Sequence, residues 1–177
     1  LYRLVGSEMC IRDSFELKSA GMRMAGGAKP FGIDAEQIPG IIQSLHPYKV
    51  DVCGLHIFTG SQNLNTNAII ENHIEVFSLA GDLAQIMHQY GFEISRLNIG
   101  GGFGIPYFEG ERSLCLNEIS TNLQHLMDTR QQHLKRAEIV IELGRYLVAE
   151  AGIYLCQITD IKTSRGTDFL LTNGGMH

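Results

Sequence analysis

Three short segments carry residue types that bind anionic groups, and each follows an apolar, strand-like run. The first contains Ser61, whose hydroxyl can donate a hydrogen bond, and the second contains the glycine triplet Gly100–Gly102. The third reads ELGR and brings Glu142, Gly144 and Arg145. Glycines allow several backbone N–H groups to approach one phosphate, and an arginine binds a phosphate or a carboxylate through two parallel hydrogen bonds. These residue types predict a site for a phosphorylated small molecule.

Each motif taken alone also has a purely structural explanation. The glycines could form only a tight turn, Ser61 could cap its own loop, and Glu142 with Arg145 could form a surface salt bridge. A dinucleotide-binding fingerprint is excluded, because GxGxxG must run directly into a helix and the sixth position counted from Gly100 is Ile105.

Strand-like and helical patterns alternate along the chain and position these motifs. Three strands are predicted where apolar and β-branched residues run together, over 48–58, 92–100 and 138–143. The first is expected to be buried on both faces, and the third is also expected to be buried. Helical spacing of apolar residues predicts amphipathic helices over 66–90 and 116–135. Consecutive βα units form a parallel sheet whose functional loops follow the carboxyl ends of the strands. We therefore expect the three motifs to lie at one end of a β/α barrel.

Within two of the helices, the sequence also predicts the roles of single residues. In the helix over 66–90, the expected apolar stripe consists of Ile70, Ile74, Val76, Phe77, Leu79, Leu83 and Met87. A shorter helix is expected to open at Asp34 with Gln37 as its capping-box partner, although Pro39 favours a later start.

The pattern changes after residue 151. Residues 153–175 are rich in strand-forming types, with a turn at SRG and no helical spacing. We therefore predict that 15–151 form the C-terminal part of a TIM-type (β/α) barrel and that 152–177 begin a β domain. Because a full barrel needs about 250 residues, we expect its other strands to lie outside this sequence.

Composition narrows the class of protein. The chain has 177 residues, a formal net charge of −5 and no basic cluster, so a nucleic-acid partner is not expected. No apolar run approaches the roughly 20 residues of a membrane span, and no membrane association is expected. The histidines show no metal-ligand spacing. The four cysteines form no CxxC motif, which favours a reducing compartment, and we expect the cytoplasm.

The first residues follow none of these patterns. Residues 4–14 read LVGSEMCIRDS, and acidic Glu8 interrupts their apolar run. The string resembles the translation of a sequencing adapter. We therefore exclude residues 1–14 from the predicted fold and expect native sequence to begin at about Phe15, which would make the chain a fragment.

Three segments together resemble a known enzyme family. GLHIFTGSQ, LNIGGGFGIPYF and IELGRYLVAEAG are similar to segments of the pyridoxal-phosphate-dependent ornithine/diaminopimelate/arginine decarboxylases, group IV and fold type III. The likeness covers residues 15–177. It is strongest to the exosortase-system-associated subgroup, through GRYLV, EAG and GGMH, and the acyl-carrier-linked glutamyl decarboxylases are also similar. The resemblance implies an alanine-racemase-like barrel followed by a β domain, with pyridoxal 5′-phosphate as the cofactor.

The resemblance also assigns roles by position. Ser61 and Gly100–Gly102 would hold the cofactor phosphate, together with the ELGR loop that contains Gly144. Glu142 would pair with the protonated pyridine nitrogen. Arg145 would bind the phosphate or the substrate carboxylate.

Three positions depart from the family's pattern. Phe58 stands where diaminopimelate decarboxylases carry the second histidine of HCHIGSQ, and it can stack on the cofactor ring but cannot titrate. Leu143 replaces the proline of EPGR, and Asn173 replaces a frequent aspartate. His56 matches the first histidine of HCHIGSQ, but inside a buried strand we expect it to be a core residue.

The resemblance implies a decarboxylase that acts on an amino acid or amino-acyl conjugate, as a homodimer with shared active sites. None of the five lysines matches the family's Schiff-base lysine, which lies on the first barrel strand, so we expect this chain to be inactive alone. The alternatives are a racemase or diaminopimelate decarboxylase on the same fold, an inactive paralogue that binds partners, and a sugar-phosphate barrel enzyme.

Overall fold

The structure is a computed structural model that describes residues 10–13, 32–45, 47–48, 50–58 and 60–175. The chain divides into two compact units, Leu1–Leu147 and Val148–His177. The predicted domain boundary between residues 151 and 152 lies four residues after this division.

A parallel sheet of four strands organises the first unit, in the order β1-β2-β3-β4. The strands are β1 Cys10–Asp13, β2 Gly54–Ile57, β3 Arg96–Gly101 and β4 Glu138–Glu142. The helices are α1 Ile38–Leu45, α2 Thr66–Gln89, α3 Leu116–Thr129 and α4 Arg145–Val148. Because α2 connects β2 to β3 and α3 connects β3 to β4, the predicted βα order is confirmed.

One face of this sheet packs on the helices. Leu55 and Ile57 of β2, with Leu97 and Ile99 of β3, are at most 1% exposed and belong to the main apolar core. Burying each such side chain contributes roughly 1.5–3 kcal/mol. Side chains alternate across a strand, so His56, between Leu55 and Ile57, and Asn98, between Leu97 and Ile99, face the other side of the sheet. That second face carries the polar residues of the site.

The last strand differs from its prediction. β4 was expected to be buried, but Glu138 and Glu142 are exposed and the three residues between them are half-buried. Among the described strands, β4 pairs only with β3 and lies at the edge of the sheet. An edge strand has a neighbour on one side only, which explains the exposure.

The burial of α2 follows its prediction except at one position. Val76, Phe77, Leu83 and Met87 are buried, and Ile70 and Leu79 are half-buried against the apolar clusters. Ile74 is 47% exposed, so the expected stripe is wrong there. The buried face also includes residues that were not predicted, namely Ile69, His73, Ala80 and Ala84. The polar residue His73 therefore takes a core position that an apolar-spacing argument gives to Ile74.

Two helix boundaries lie inside the predicted ranges. A 3-10 turn over Ala35–Gln37 precedes α1, which begins at Ile38 next to Pro39, so the later start is confirmed. The capping box is wrong, because the Asp34 side chain does not cap the turn. The backbone N–H of Gln37 donates instead to the backbone oxygen of Asp34, over 2.8 Å.

The predicted helix over 116–135 ends early. α3 stops at Thr129, Arg130 is extended with ψ 148°, and a 3-10 turn follows over Gln132–Leu134. The Arg130 guanidinium donates to the backbone oxygen of Ala137 over 3.3 Å. This contact ties the connection to the start of β4.

The segment that was excluded from the predicted fold contains β1. Cys10–Asp13 pair in parallel with β2, from Cys10 opposite Gly54 to Asp13 opposite Ile57. An exposed sheet edge offers unpaired N–H and C=O groups to any extended segment, which explains the pairing without regard to side chains. The exclusion of residues 1–14 from the fold is therefore wrong for β1.

The second unit contains an antiparallel hairpin, as its sequence predicts. β5 (Ile158–Ser164) pairs with β6 (Thr167–Thr172) around the turn residues Arg165 and Gly166. Both turn residues have positive φ, 51° and 79°, as a two-residue turn with the twist of a hairpin requires. Within the described residues of both units, none of the helices is long and apolar enough to cross a membrane.

Candidate functional site

The glycine triplet contains an irregularity in the sheet. Asn98 pairs with Val140, but Gly101 pairs with Glu142, so β3 has one residue more than β4 between these pairs. Gly100 takes the left-handed conformation there, with φ 74°. A Cβ atom at Gly101 would collide with the backbone oxygen of Glu142. The triplet therefore provides a β-bulge and a close approach of two strands.

The loops that follow β2 and β3 pair through their backbones. The Asn63 N–H donates to the Gly102 oxygen over 2.8 Å, and the Gly104 N–H donates to the Asn63 oxygen over 2.9 Å. Gly102 has φ 77°, and a Cβ atom there would lie 2.5 Å from the Gly60 oxygen. Only glycine fits this position, because the two backbones are in contact.

The carboxylate of Glu142 is held from two neighbouring strands. Asn98 Nδ2 donates to Glu142 Oε1 over 2.9 Å, and His56 Nε2 lies 3.4 Å from Glu142 Oε2. The Asn98 side chain is buried, whereas the Glu142 side chain is 52% exposed. The carboxylate is thus oriented by the buried Asn98 side chain and still accessible to a ligand.

His56 is not the satisfied core residue that was expected. Its Nε2 atom is buried and has no hydrogen bond in the structure, although Glu142 is nearby. Its two strand neighbours Leu55 and Ile57 are core residues, so the His56 side chain points to the other side of the sheet, toward Glu142. The residue therefore belongs to the polar face of the sheet.

The loop after β2 also contacts Arg145. The guanidinium Nη1 donates to Gln62 Oε1 over 3.1 Å. The guanidinium carbon lies over the Tyr107 ring, 6.0 Å from the ring centroid. Gln62 Nε2 donates to the backbone oxygen of Ile105 over 2.6 Å. Three loops are joined at this point.

A cleft of about 240 Å³ opens among these loops. Its walls include seven of the eight residues that the sequence predicts for the site, namely Phe58, Ser61, Gly101, Gly102, Glu142, Gly144 and Arg145. Gly100 is the exception, and its N–H donates to Asn98 Oδ1 over 2.9 Å. The structure thus brings the predicted residues together, while the Gly100 amide is used by the protein itself.

Three polar side chains of the site were not predicted to belong to it: His56, Gln62 and Asn98. His56 and Asn98 each interrupt an apolar strand, in GLHIF and LNIGG. A polar residue within an apolar strand was the available signal, because a buried polar side chain requires a partner. Gln62 gives no comparable signal, since polar residues are ordinary in loops.

A buried histidine lies behind the glycine loop. His73 of α2 is 2% exposed and lines a narrow space with Asn63, Asn72, Gly101 and Gly102. Burial lowers its pKa from 6.5 to about 4, so the imidazole is neutral at pH 7.

Comparison with known proteins identifies the family. The model of the pyridoxal-dependent decarboxylases, pyridoxal binding domain, matches residues 3–149. The chain belongs to this family. The family confirms the predicted cofactor, pyridoxal phosphate, and the range it matches includes β1 and every residue that lines the cleft.

Individual relatives agree with this assignment. The L-glutamyl-[BtrI acyl-carrier protein] decarboxylase of Niallia circulans is 32% identical over 161 residues, which are 90% of this chain and 37% of that protein. The crystal structure of diaminopimelate decarboxylase from Methanocaldococcus jannaschii has 28% identity and a TM-score of 0.60, and the match covers 82% of this chain and 33% of that one. The diaminopimelate decarboxylase of Helicobacter pylori, solved with L-lysine, shares the fold at 20% identity and a TM-score of 0.69, over 97% of this chain and 42% of that one. The chain thus spans well under half the length of these relatives, and the predicted fold type is confirmed.

Proposed function

We propose that this chain supplies the cofactor-binding part of a pyridoxal-phosphate-dependent decarboxylase that acts on an amino acid or an amino-acyl conjugate. One observation carries the proposal: Glu142, oriented by a hydrogen bond from Asn98, lines the same cleft as Ser61, the glycine loop and Arg145. A carboxylate and a guanidinium in one cleft fit a molecule that has both a basic ring nitrogen and a phosphate.

The residues present fit this cofactor. Gly101 and Gly102 line the cleft, where residues without side chains let a phosphate approach the backbone. Ser61 offers a hydroxyl donor, and Arg145 offers a charge to the same group. Phe58 offers an aromatic face for stacking on the ring.

The chemistry divides between the cofactor and the chain. Pyridoxal phosphate, when bound, supplies an electron sink for the carbanion that loss of CO2 leaves. Glu142 keeps a proton on the pyridine nitrogen, and the bond from Asn98 keeps the carboxylate oriented. Arg145 and Ser61 anchor the phosphate. These residues position the cofactor, and the sequence offers no lysine at the family's Schiff-base position.

The relatives support the substrate class. Their names describe decarboxylation of a glutamyl group on a carrier protein and of diaminopimelate. A substrate with an amino-acid carboxylate, free or within a conjugate, is common to both. Phe58 favours a substrate other than diaminopimelate, because the resemblance places a histidine at that position in diaminopimelate decarboxylases.

Assembly and origin are further parts of the proposal. We propose a cytoplasmic homodimer with shared active sites, of the exosortase-associated subgroup, and an adapter origin for residues 4–14. The homodimer rests on the family resemblance, the cytoplasm on the cysteine pattern, and the subgroup on the strings GRYLV and GGMH. The adapter origin rests on the string LVGSEMCIRDS. Analytical ultracentrifugation tests the dimer, and resequencing the locus without adapters tests the origin.

Ligand binding tests the central proposal. The purified chain is titrated with pyridoxal phosphate and with pyridoxal, which lacks the phosphate, in a calorimeter. We expect tighter binding of pyridoxal phosphate and at least a tenfold loss for Arg145→Met, because a charge-assisted hydrogen bond contributes about 1.5–3 kcal/mol. Arg136→Met is the control, because Arg136 precedes β4 whereas Arg145 follows it, and it should leave both affinities unchanged. Equal affinities for the two ligands would contradict the proposal.

A further inference from the structure

The side chain of Gln62 lies at the junction of three loops. Its Nε2 donates to the Ile105 oxygen over 2.6 Å, and its Oε1 accepts from the Ile105 N–H over 3.4 Å. The same Oε1 accepts from Arg145 Nη1 over 3.1 Å. One amide group thus connects the loops that follow β2, β3 and β4.

The backbone fixes the direction of this side chain. Gln62 has φ 53°, a left-handed conformation that residues other than glycine rarely adopt. Its neighbours explain why, since Asn63 pairs with Gly102 and Gly104 on the opposing loop. A residue held in a rare conformation by surrounding pairing is typical of functional sites.

The partners of Arg145 are neutral. Gln62 contacts the guanidinium through an amide oxygen, and Tyr107 contacts it through an aromatic ring. Tyr107 is itself held in a tight turn, because its N–H donates to Glu111 Oε2 over 2.7 Å. Within the described part of the chain, no carboxylate forms an ion pair with Arg145. The guanidinium is therefore oriented without being neutralised.

We propose that Gln62 is a positioning residue, which orients Arg145 toward the phosphate of the cofactor through a neutral oxygen and so preserves the charge that binds it. This inference rests on the proposed function. A carboxylate at position 62 would still accept from Arg145 but would cancel its charge, whereas an apolar side chain would release the guanidinium. Both side chains lose the donor to the Ile105 oxygen, so the difference between the two variants reports the charge.

Two variants separate these effects. Gln62→Glu and Gln62→Met are titrated with pyridoxal phosphate and with pyridoxal. We expect Gln62→Glu to weaken binding of pyridoxal phosphate at least tenfold, Gln62→Met to weaken it less, and pyridoxal affinity to stay within twofold. Equal losses for both ligands would indicate a merely structural role and overturn the inference.

The Arg145→Met background provides a second readout. If Gln62 acts through Arg145, then Gln62→Glu should change pyridoxal phosphate affinity by less than twofold in that background. The same tenfold loss there would show that Gln62 acts independently, and the inference would be wrong.

Unfolding measurements separate this inference from the proposed function. If the wild-type chain binds no pyridoxal phosphate, the proposed function fails. The contact between Gln62 and Arg145 can still be tested by a double-mutant cycle that measures the free energy of unfolding in urea. The losses in the free energy of unfolding caused by Gln62→Met and Arg145→Met should then be non-additive. The losses caused by Arg145→Met and Gln85→Met, a control on the exposed side of α2, should be additive. Additivity of the first pair would overturn the inference.

Discussion

Asn98 links the acid of the cleft to the glycine loop. Its Nδ2 donates to Glu142 Oε1 and its Oδ1 accepts from the Gly100 N–H, both over 2.9 Å. A single side chain thus orients an acidic residue and fixes the bulge that precedes the cleft.

Asn98→Leu should lose both hydrogen bonds at nearly constant volume. We expect the free energy of unfolding to fall by about 2 kcal/mol, because a buried bond to a charged group and an amide bond are both lost. Urea denaturation followed by circular dichroism measures it. Asn67→Leu, at an exposed position of α2, is the matched control. A change no larger than that of the control would show that Asn98 does not hold the loop.

Gly101→Ala should break the pairing of β3 and β4 at the bulge. The added Cβ collides with the Glu142 backbone oxygen, which cannot move without displacing β4. We expect a loss of about 3 kcal/mol or more in urea denaturation. Gly40→Ala in α1 is the control, since nothing lies within 4 Å of its added Cβ, and it should stabilise the helix by up to about 1 kcal/mol. Similar results for both variants would refute the close approach.

His73 should make the native state sensitive to acid. The unfolded chain binds a proton near pH 6.5, but folded His73 does so only near pH 4. Between these values the unfolded state binds more protons, so this contribution is present above pH 6.5 and is lost as the pH falls toward 4. The full loss is about 3 kcal/mol.

Urea denaturation between pH 7 and 4 measures this effect. His73→Leu should reduce the dependence of the free energy of unfolding on pH, whereas His125→Gln, at an exposed position of α3, should leave that dependence unchanged. A wild-type profile identical to that of His73→Leu would exclude the assigned role.

Phe58→Leu should remove the aromatic face from the cleft while keeping its apolar character. We expect pyridoxal phosphate affinity to fall severalfold, because stacking of two rings contributes about 0.5–1.5 kcal/mol beyond burial. Calorimetric titration measures it. Phe108→Leu, which alters an exposed ring outside the lining of the cleft, should have no effect. Unchanged binding by Phe58→Leu would exclude stacking.

The sequence predicted the parts of the fold that follow from periodicity. The order of β2, α2, β3, α3 and β4 was predicted, because apolar spacing records which side of an element is buried. Boundaries were less accurate, since hydrogen bonds such as that from Arg130 to Ala137 end a helix without an apolar signal.

The site was predicted by residue type rather than by geometry. Ser61, the glycines, Glu142 and Arg145 were chosen because their chemistry suits a phosphate and a ring nitrogen. The supports Asn98, His56 and Gln62 depend on pairing between strands and loops distant in sequence. The resemblance supplied the cofactor, and residue spacing alone did not distinguish it from other phosphates.

The bulge in β3 constrains how many glycines the motif contains. With Asn98 opposite Val140 and Gly101 opposite Glu142, one residue of the triplet is present only to lengthen the strand. Deleting that residue would leave Gly101 opposite Glu142 but give a regular ladder, without the left-handed residue and the bend that a bulge produces. A two-glycine version would therefore lose the bend at the start of the loop, so the length of the motif specifies the site as much as its composition does.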